Sequence, residues 1–429
     1  MSTVELQIAE RAKKIKEPLR SLHQFIDEEL LMESYRKLNK RSAAGVDGMD
    51  WKEYGEVAKE RIPELMNQFM SGKYRAPNIR RVYIPKSDGK QRPLGINTVE
   101  DKVLQGGVRR ILQPIYEEEF KDFSYGFRPK RSTHQAIEYM KKEVNFKGMR
   151  YIIDADLKDY FGSINHGILR ELIARRVNDG VIKRMLNKWL KAGILENGQI
   201  YYPEEGTPQG GLISPMLSNI YLHYVLDEWF SEQIQPLLKG KSFIVRYADD
   251  FILGFTDKQD AMRVLNVLPK RFDKYKLTLH PEKTKLIDLK CETGKGDRSF
   301  DFLGFTHYIG KSRKGRLILM CKTSSKKLTK AINQTEDWIK HNRHKRLKEL
   351  TAELNAKLRG HYAYYGITFN SKGITSFYEQ IRRRLQKWLN RRGGKHKWEW
   401  EKFNTLITEW YPLEKPRIYH SYLTAKPTL

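Results

Sequence analysis

The sequence predicts an α+β chain, with a body of short strands between amphipathic helices followed by a basic, mostly helical segment. Three observations predict it. Short apolar runs bounded by turn residues recur through the first 305 positions, stretches of helical spacing separate them, and past about residue 310 long basic amphipathic stretches take over.

In order, residues 1–40 read as helix, because Leu30, Leu31, Tyr35 and Leu38 fall on one helical face until SAAGVDG breaks the pattern. IRRVYIPKSDGKQRPLGI (79–96) reads as a hairpin about Ser87-Asp88-Gly89. Residues 99–120, 166–195 and 258–276 return to helical spacing. YIIDADL (151–157) reads as a buried strand that carries acids. FIVRY and FILGF flank Ala248-Asp249-Asp250 as an acidic hairpin, and FDFLGF (300–305) is a further strand. Helices are expected over 323–358 and 374–392, parted by HYAYYGITFN, with Gly393-Gly394 before a short basic tail.

Composition narrows the function. The chain has 429 residues, enough for two to four domains, and 39% hydrophobic residues, enough for real cores. No apolar run approaches a membrane span, and MSTVELQIAERAKKIKEPL is too charged for a signal peptide. Two cysteines, Cys291 and Cys321, make neither a disulfide framework nor a cysteine-based zinc site. The expectation is a cytoplasmic, bacterial-type protein, associated with nucleoid or RNA and not with membrane.

The formal net charge is +28, and such self-repulsion is naturally relieved by a bound polyanion. Residues 371–400 hold nine Lys/Arg against Glu379 and Glu399, interleaved with Tyr378, Trp388, Trp398 and Trp400. Cations for phosphate beside rings for stacking point to nucleic acid. On a helix Arg384, Lys387 and Arg391 share one face, which makes them the RNA-binding candidates.

The chemistry sits in carboxylates. Asp156 ends an apolar strand, and Asp249-Asp250 occupy a tight turn between two more. Carboxylates beside buried strands are costly to desolvate unless paired or metal-bound, and oxygen-only ligands suit Mg²⁺. A solvated Asp-Asp turn is the plain alternative.

Tyr247-Ala248-Asp249-Asp250 resembles the catalytic box of reverse transcriptases in the version typical of group II intron-encoded proteins. The other blocks stand in that family's order: Gly45-Val46-Asp47-Gly48, IPKSDGKQRPLGI (84–96), SYGFRP (124–129), DADLKDYF (154–161), TPQGGLISPMLSNIYL (207–222), LTLHPEKTKL (277–286) and FDFLGF. LNAKLRGHYAYYG (354–366) is similar to the thumb or maturase motif of the group II intron class. The resemblance covers about residues 25–395.

It implies a right-hand polymerase fold, with fingers and palm carrying an antiparallel sheet, then an α-helical thumb/maturase domain. The corresponding domains are 1–75 (helical extension and start of the fingers), 76–305 (fingers/palm), 306–392 (thumb/maturase) and 393–429 (tail). It implies RNA-directed DNA synthesis with two Mg²⁺ ions, held by Asp156, Asp249 and the Leu157 backbone carbonyl, with Asp250 tuning the catalytic site. Lys86 and Arg92 would clamp the nucleotide triphosphate, and Gln209 would lie beside the incoming nucleotide. Phe161 would act as a steric gate against the 2′-hydroxyl; plain core packing is its alternative. The partners implied are an RNA template, a DNA or RNA primer, dNTPs and group II intron RNA. A host-adopted reverse transcriptase for repair or defence, or an RNA-splicing chaperone with little polymerase activity, are the alternative functions. Two departures stand out. Gly162 replaces the family's usual Asp, and no cysteine or histidine pairs of a nuclease module occur in the tail, so target cleavage by this chain is not expected.

Overall fold

A computed structural model describes residues 3–85, 91–196, 198–207, 210–290, 298–312, 314–393 and 397–422. Helices α1 (Thr3–Lys14), α2 (Glu28–Arg36) and α3 (Trp51–Met70) lead to strands β1 (Ile79–Pro85) and β2 (Gln91–Ile96). Helices α4 (Val99–Glu117) and α5 (Thr133–Lys147) precede β3 (Tyr151–Ala155). Then come α6 (His166–Ala174), α7 (Gly180–Leu190), β4 (Ile194–Glu196), β5 (Gln199–Tyr201) and α8 (Ser214–Leu222). The hairpin β6 (Ser242–Tyr247) and β7 (Asp250–Phe255) is followed by α9 (Lys258–Lys274) and β8 (Lys285–Asp288). Strands β9 (Ser299–Phe302), β10 (Phe305–Lys311) and β11 (Leu317–Thr323) precede α10 (Ser325–Asn342), α11 (Leu347–Tyr365), α12 (Ser371–Leu389) and α13 (Trp400–Thr405). The expected mixture of helix and sheet is present. No helix among the described residues is long and apolar enough to cross a membrane.

Local chemistry starts many of these helices. Side chains of Asp27, Thr98, Asn165, Asp179 and Asp257 each accept a backbone N–H in the first turn of the helix they precede. Asp50 and Glu53 form a reciprocal capping box on α3. The expected single helix over 1–40 is two helices instead. Arg176 takes the final carbonyls, donating to Ala12 O at 2.7 Å and Ile15 O at 2.9 Å, and α2 starts afresh at its Asp27 cap.

The strands form three sheets, ordered β2-β1-β4-β5, β6-β7-β3-β8 and β11-β10-β9. β1 and β2 pair antiparallel from Arg80↔Ile96 to Pro85↔Gln91, as the hairpin reading requires, and its turn lies outside the described residues. Contacts divide the chain into two units, 1–136 with 153–286, and 137–152 with 287–429. These divisions fall elsewhere than the boundaries expected at 75/76, 305/306 and 392/393.

In the second unit, the expected helix over 323–358 is broken at 343–346. There Lys345 turns to Glu353 at 2.7 Å and its carbonyl receives Arg392 Nη2 at 2.8 Å. HYAYY lies inside α11 rather than between helices. Residues past 393 join this unit's core, where Phe403, Leu406 and Ile407 pack with Leu354, Ile381 and Leu385.

Candidate active site

β6 and β7 pair from Ser242↔Phe255 to Tyr247↔Asp250, which leaves Ala248 and Asp249 as a two-residue turn. Such turns need positive φ, and Ala248 has φ +60°, a left-handed conformation that costs a non-glycine residue about 1–2 kcal/mol. The surroundings hold it there. Arg246, fully buried in β6, donates Nη1 to the Ala248 carbonyl at 2.9 Å. The same guanidinium forks onto Asp227, itself fully buried, at 2.7 and 2.5 Å, and Nη1 also reaches Asn219 Oδ1 at 2.9 Å. Asn219 Nδ2 donates to Gly126 O at 2.7 Å.

Asp156 directly follows β3. Its carbonyl receives the His280 N–H at 2.8 Å, Leu157 bridges Leu279, and the Lys158 N–H reaches Thr278 O at 2.8 Å. The segment 277–286 thus fixes the backbone of 156–158. Lys283 Nζ lies 2.5 Å from Asp156 Oδ2.

The turn and this segment bring Asp156 and Asp249 together. Burial holds the Asp249 carboxyl above the ordinary carboxylate range; a backbone hydrogen bond opposes the rise, and the neighbouring Asp156 charge adds to it. Arg92 and Arg246 pull back more weakly. Asp250, the first residue of β7, is exposed.

The two carboxylates, Asp249 kept partly from water and Asp156 met by Lys283, form an oxygen-donor pair. That set fits Mg²⁺, which takes one or two carboxylates and completes its shell with substrate phosphates and water. Among the described residues there is no group of three or more His, Cys, Asp or Glu that could hold a metal.

Arg92 stands exposed on β2 opposite Ile84, with its charge felt at Asp249. Lys86 and Gln209 lie outside the described residues. The aromatic pair 160–161 divides its work. Tyr160 is the buried member, donating its hydroxyl to Ser218 O at 2.6 Å, while Phe161 is half-buried against it.

Gly210 has φ +121°, and a Cβ there would sit 2.3 Å from the Gly95 carbonyl. That glycine is therefore required by packing against β2. At Gly162 a Cβ would lie 2.3 Å from Asp159 Oδ2, so the Asp159 carboxylate fills the space a side chain would need. A cavity of about 240 Å³ lined by Arg81, Asp159, Gly162, Trp189 and Thr207 does not include Asp156 or Asp249.

In the second unit Arg384 and Lys387 lie on α12, but the helix ends at Leu389, so Arg391 falls in the turn after it and does not extend their helical face; the first two are engaged. Arg384 Nε and Lys387 Nζ meet the Glu336 carboxylate of α10 at 2.8 and 2.9 Å, and Arg391 lies over the Trp388 ring at 5.0 Å.

Sequence reasoning passed over Arg246, Asp227, Asn219 and Gly126. The available signal was Arg246 itself, a charge set in the apolar run of a strand.

Residues 84–307 match the family "Reverse transcriptase (RNA-dependent DNA polymerase)", and residues 326–405 match "Group II intron, maturase-specific domain". The chain is 35% identical over 309 residues to Protein YkfC of Escherichia coli K12, covering 64% of this chain and 78% of that one. It is 41% identical over 191 residues to the group II intron-encoded protein LtrA of Lactococcus lactis subsp. cremoris, covering 44% of this chain and 32% of LtrA. With the reverse transcriptase match spanning over half its length and the maturase match following, the chain belongs to the reverse transcriptase family of RNA-directed DNA polymerases, in its group II intron-encoded form.

Proposed function

We propose that the chain copies RNA into DNA at the Asp156–Asp249 pair and assists the splicing of a group II intron RNA that it binds. The observation that carries the polymerase reading is the meeting of two carboxylates from separate segments, each on a backbone fixed by neighbouring strands. On this reading 76–305 are fingers and palm, and 306–392 the thumb.

Asp156 and Asp249 would hold two Mg²⁺ ions, with the Leu157 carbonyl as a further ligand and Asp250 tuning the site. When bound, such ions supply activation of the primer 3′-hydroxyl and neutralisation of the departing pyrophosphate. The chain's own residues do the positioning. Arg92 and Lys86 would offer cationic donors to the triphosphate, where charge develops during transfer. Gln209 would lie beside the incoming nucleotide. Phe161, half-buried against Tyr160, would act as the steric gate against a ribose 2′-hydroxyl.

The match to the maturase-specific domain supports the splicing role, and the basic α10–α12 face supports RNA binding. The test is extension of a DNA primer on an RNA template with dNTPs and Mg²⁺, beside a splicing assay with intron RNA. Extension by the purified protein is expected. Splicing assistance without any extension would replace this reading with that of an RNA-splicing chaperone.

A further inference from the structure

A catalytic aspartate on a two-residue turn is only as well placed as the turn. Nothing in Ala248-Asp249 favours its own geometry, because Ala248 is held in left-handed backbone without being glycine. Two contacts reach that one residue directly, and a third side chain ties the two together.

The first is the Arg246 guanidinium, which donates to the Ala248 carbonyl at 2.9 Å. It is aimed by a bidentate pairing with Asp227 and by Asn219, so its orientation is fixed from both sides. The second is Gly126. A Cβ there would lie 2.2 Å from the Ala248 nitrogen, so the backbone of segment 123–126 presses directly on the turn. That segment is zipped to Arg246 by Arg246 N–H to Phe123 O at 2.9 Å and Tyr125 N–H to Arg246 O at 2.8 Å. The third is Asn219, which closes the ring by bonding both the guanidinium and the Gly126 carbonyl.

Stability alone is a poor reason for this arrangement. A fully buried ion pair is often no better than well-packed apolar side chains of the same volume. Asp227 also lies in a stretch of widened, π-type helical turns, His223–Asp227, of the kind that accumulates at functional sites.

We propose that Arg246 is a positioning residue for the polymerase reaction: aimed by Asp227 and Asn219 and backed by Gly126, it sets the Ala248 carbonyl and thereby the Asp249 carboxylate. The inference rests on the reading of Asp156 and Asp249 as the metal-binding pair.

The test uses two variants of the full chain. Arg246→Met with Asp227→Leu removes the bond to Ala248 and leaves no buried unpaired charge. Gly126→Ala pushes the same turn from the other side with the ion pair intact. Each is measured for thermal melting, for single-turnover extension at saturating dNTP, for dNTP KM, and for Mn²⁺ affinity by electron paramagnetic resonance in a complex with dideoxy-terminated primer. The expected result is a melting midpoint within a few degrees of wild type for the double variant. Its extension rate falls about tenfold or more, as a misplaced reacting group would require. KM is nearly unchanged and Mn²⁺ binding is weaker. If the double variant does not melt cooperatively, the rate and Mn²⁺ affinity of Gly126→Ala decide. Wild-type rates and wild-type Mn²⁺ affinity in the folded variants would overturn the proposal. Failure of the underlying reading looks different: Mn²⁺ affinity would then be insensitive to Asp249→Asn as well.

Discussion

Glu336 receives Arg384 Nε at 2.8 Å, and the same carboxylate also takes Lys387 Nζ at 2.9 Å and Trp388 Nε1 at 3.1 Å. These donors, Lys387 foremost, hold the Glu336 carboxyl below the usual range, so it stays charged at neutral pH and lets go only in acid. The basic face of α12 is therefore partly neutralised from within.

For RNA binding this changes the expected salt dependence. If Arg384, Lys387 and Arg391 all met phosphate, replacing them with alanine would flatten the slope of log K against log salt by about 2–3 units. With two engaged by Glu336, the triple variant is expected to flatten it by about 0.7–0.9, the contribution of one cation. Glu336→Gln is expected to steepen the slope and tighten binding at low salt. RNA affinity across a salt series checks both. A loss of 2–3 units would mean that Glu336 releases its partners to RNA.

Phe161 gives a test of sugar choice. Tyr160 carries the core packing, so Phe161→Ala should leave the melting midpoint nearly unchanged while admitting a 2′-hydroxyl. The ratio of kcat/KM for dGTP to that for GTP should fall about tenfold or more, in keeping with removal of a steric clash at a reacting centre. An unchanged ratio with normal activity would return Phe161 to a packing role.

The close fit of Gly162 and Asp159 predicts coupling between two neighbouring positions. Gly162→Ala places a Cβ 2.3 Å from Asp159 Oδ2, the far end of an exposed side chain that can swing aside, and should destabilise by less than about 1 kcal/mol. Asp159 itself sits at φ +43°, where glycine is at ease, so Asp159→Gly removes the obstructing carboxylate without straining the chain. In that background Gly162→Ala should lower the melting midpoint much less. Equal losses in both backgrounds would show that the two side-chain positions do not interact.

Much of the frame was legible. The apolar runs around 243–255 and the hairpin at 79–96 became paired strands because short runs bounded by turn residues left little choice. The pair Asp156 and Asp249 was legible as costly carboxylates at strand ends. Other features were not. The break at 343–346 carries neither glycine nor proline, and is made by Arg392 and Glu353, distant in sequence from it or set in the next helix. The engagement of Arg384 and Lys387 by Glu336 depends on which helix α12 packs against, which no periodicity reveals. The brace beneath Ala248 joins residues 126, 219, 227 and 246, and only the charge of Arg246 in an apolar strand hinted at it.

The central claim is that Asp156 and Asp249 form the metal-dependent catalytic pair. Its most direct test is primer extension on an RNA template by Asp249→Asn in Mg²⁺, measured beside RNA affinity. Asparagine keeps the volume and the turn but removes the charge that would hold the cation. The account predicts that extension is abolished while RNA affinity stays within a few-fold of wild type. Extension at the wild-type rate would contradict it.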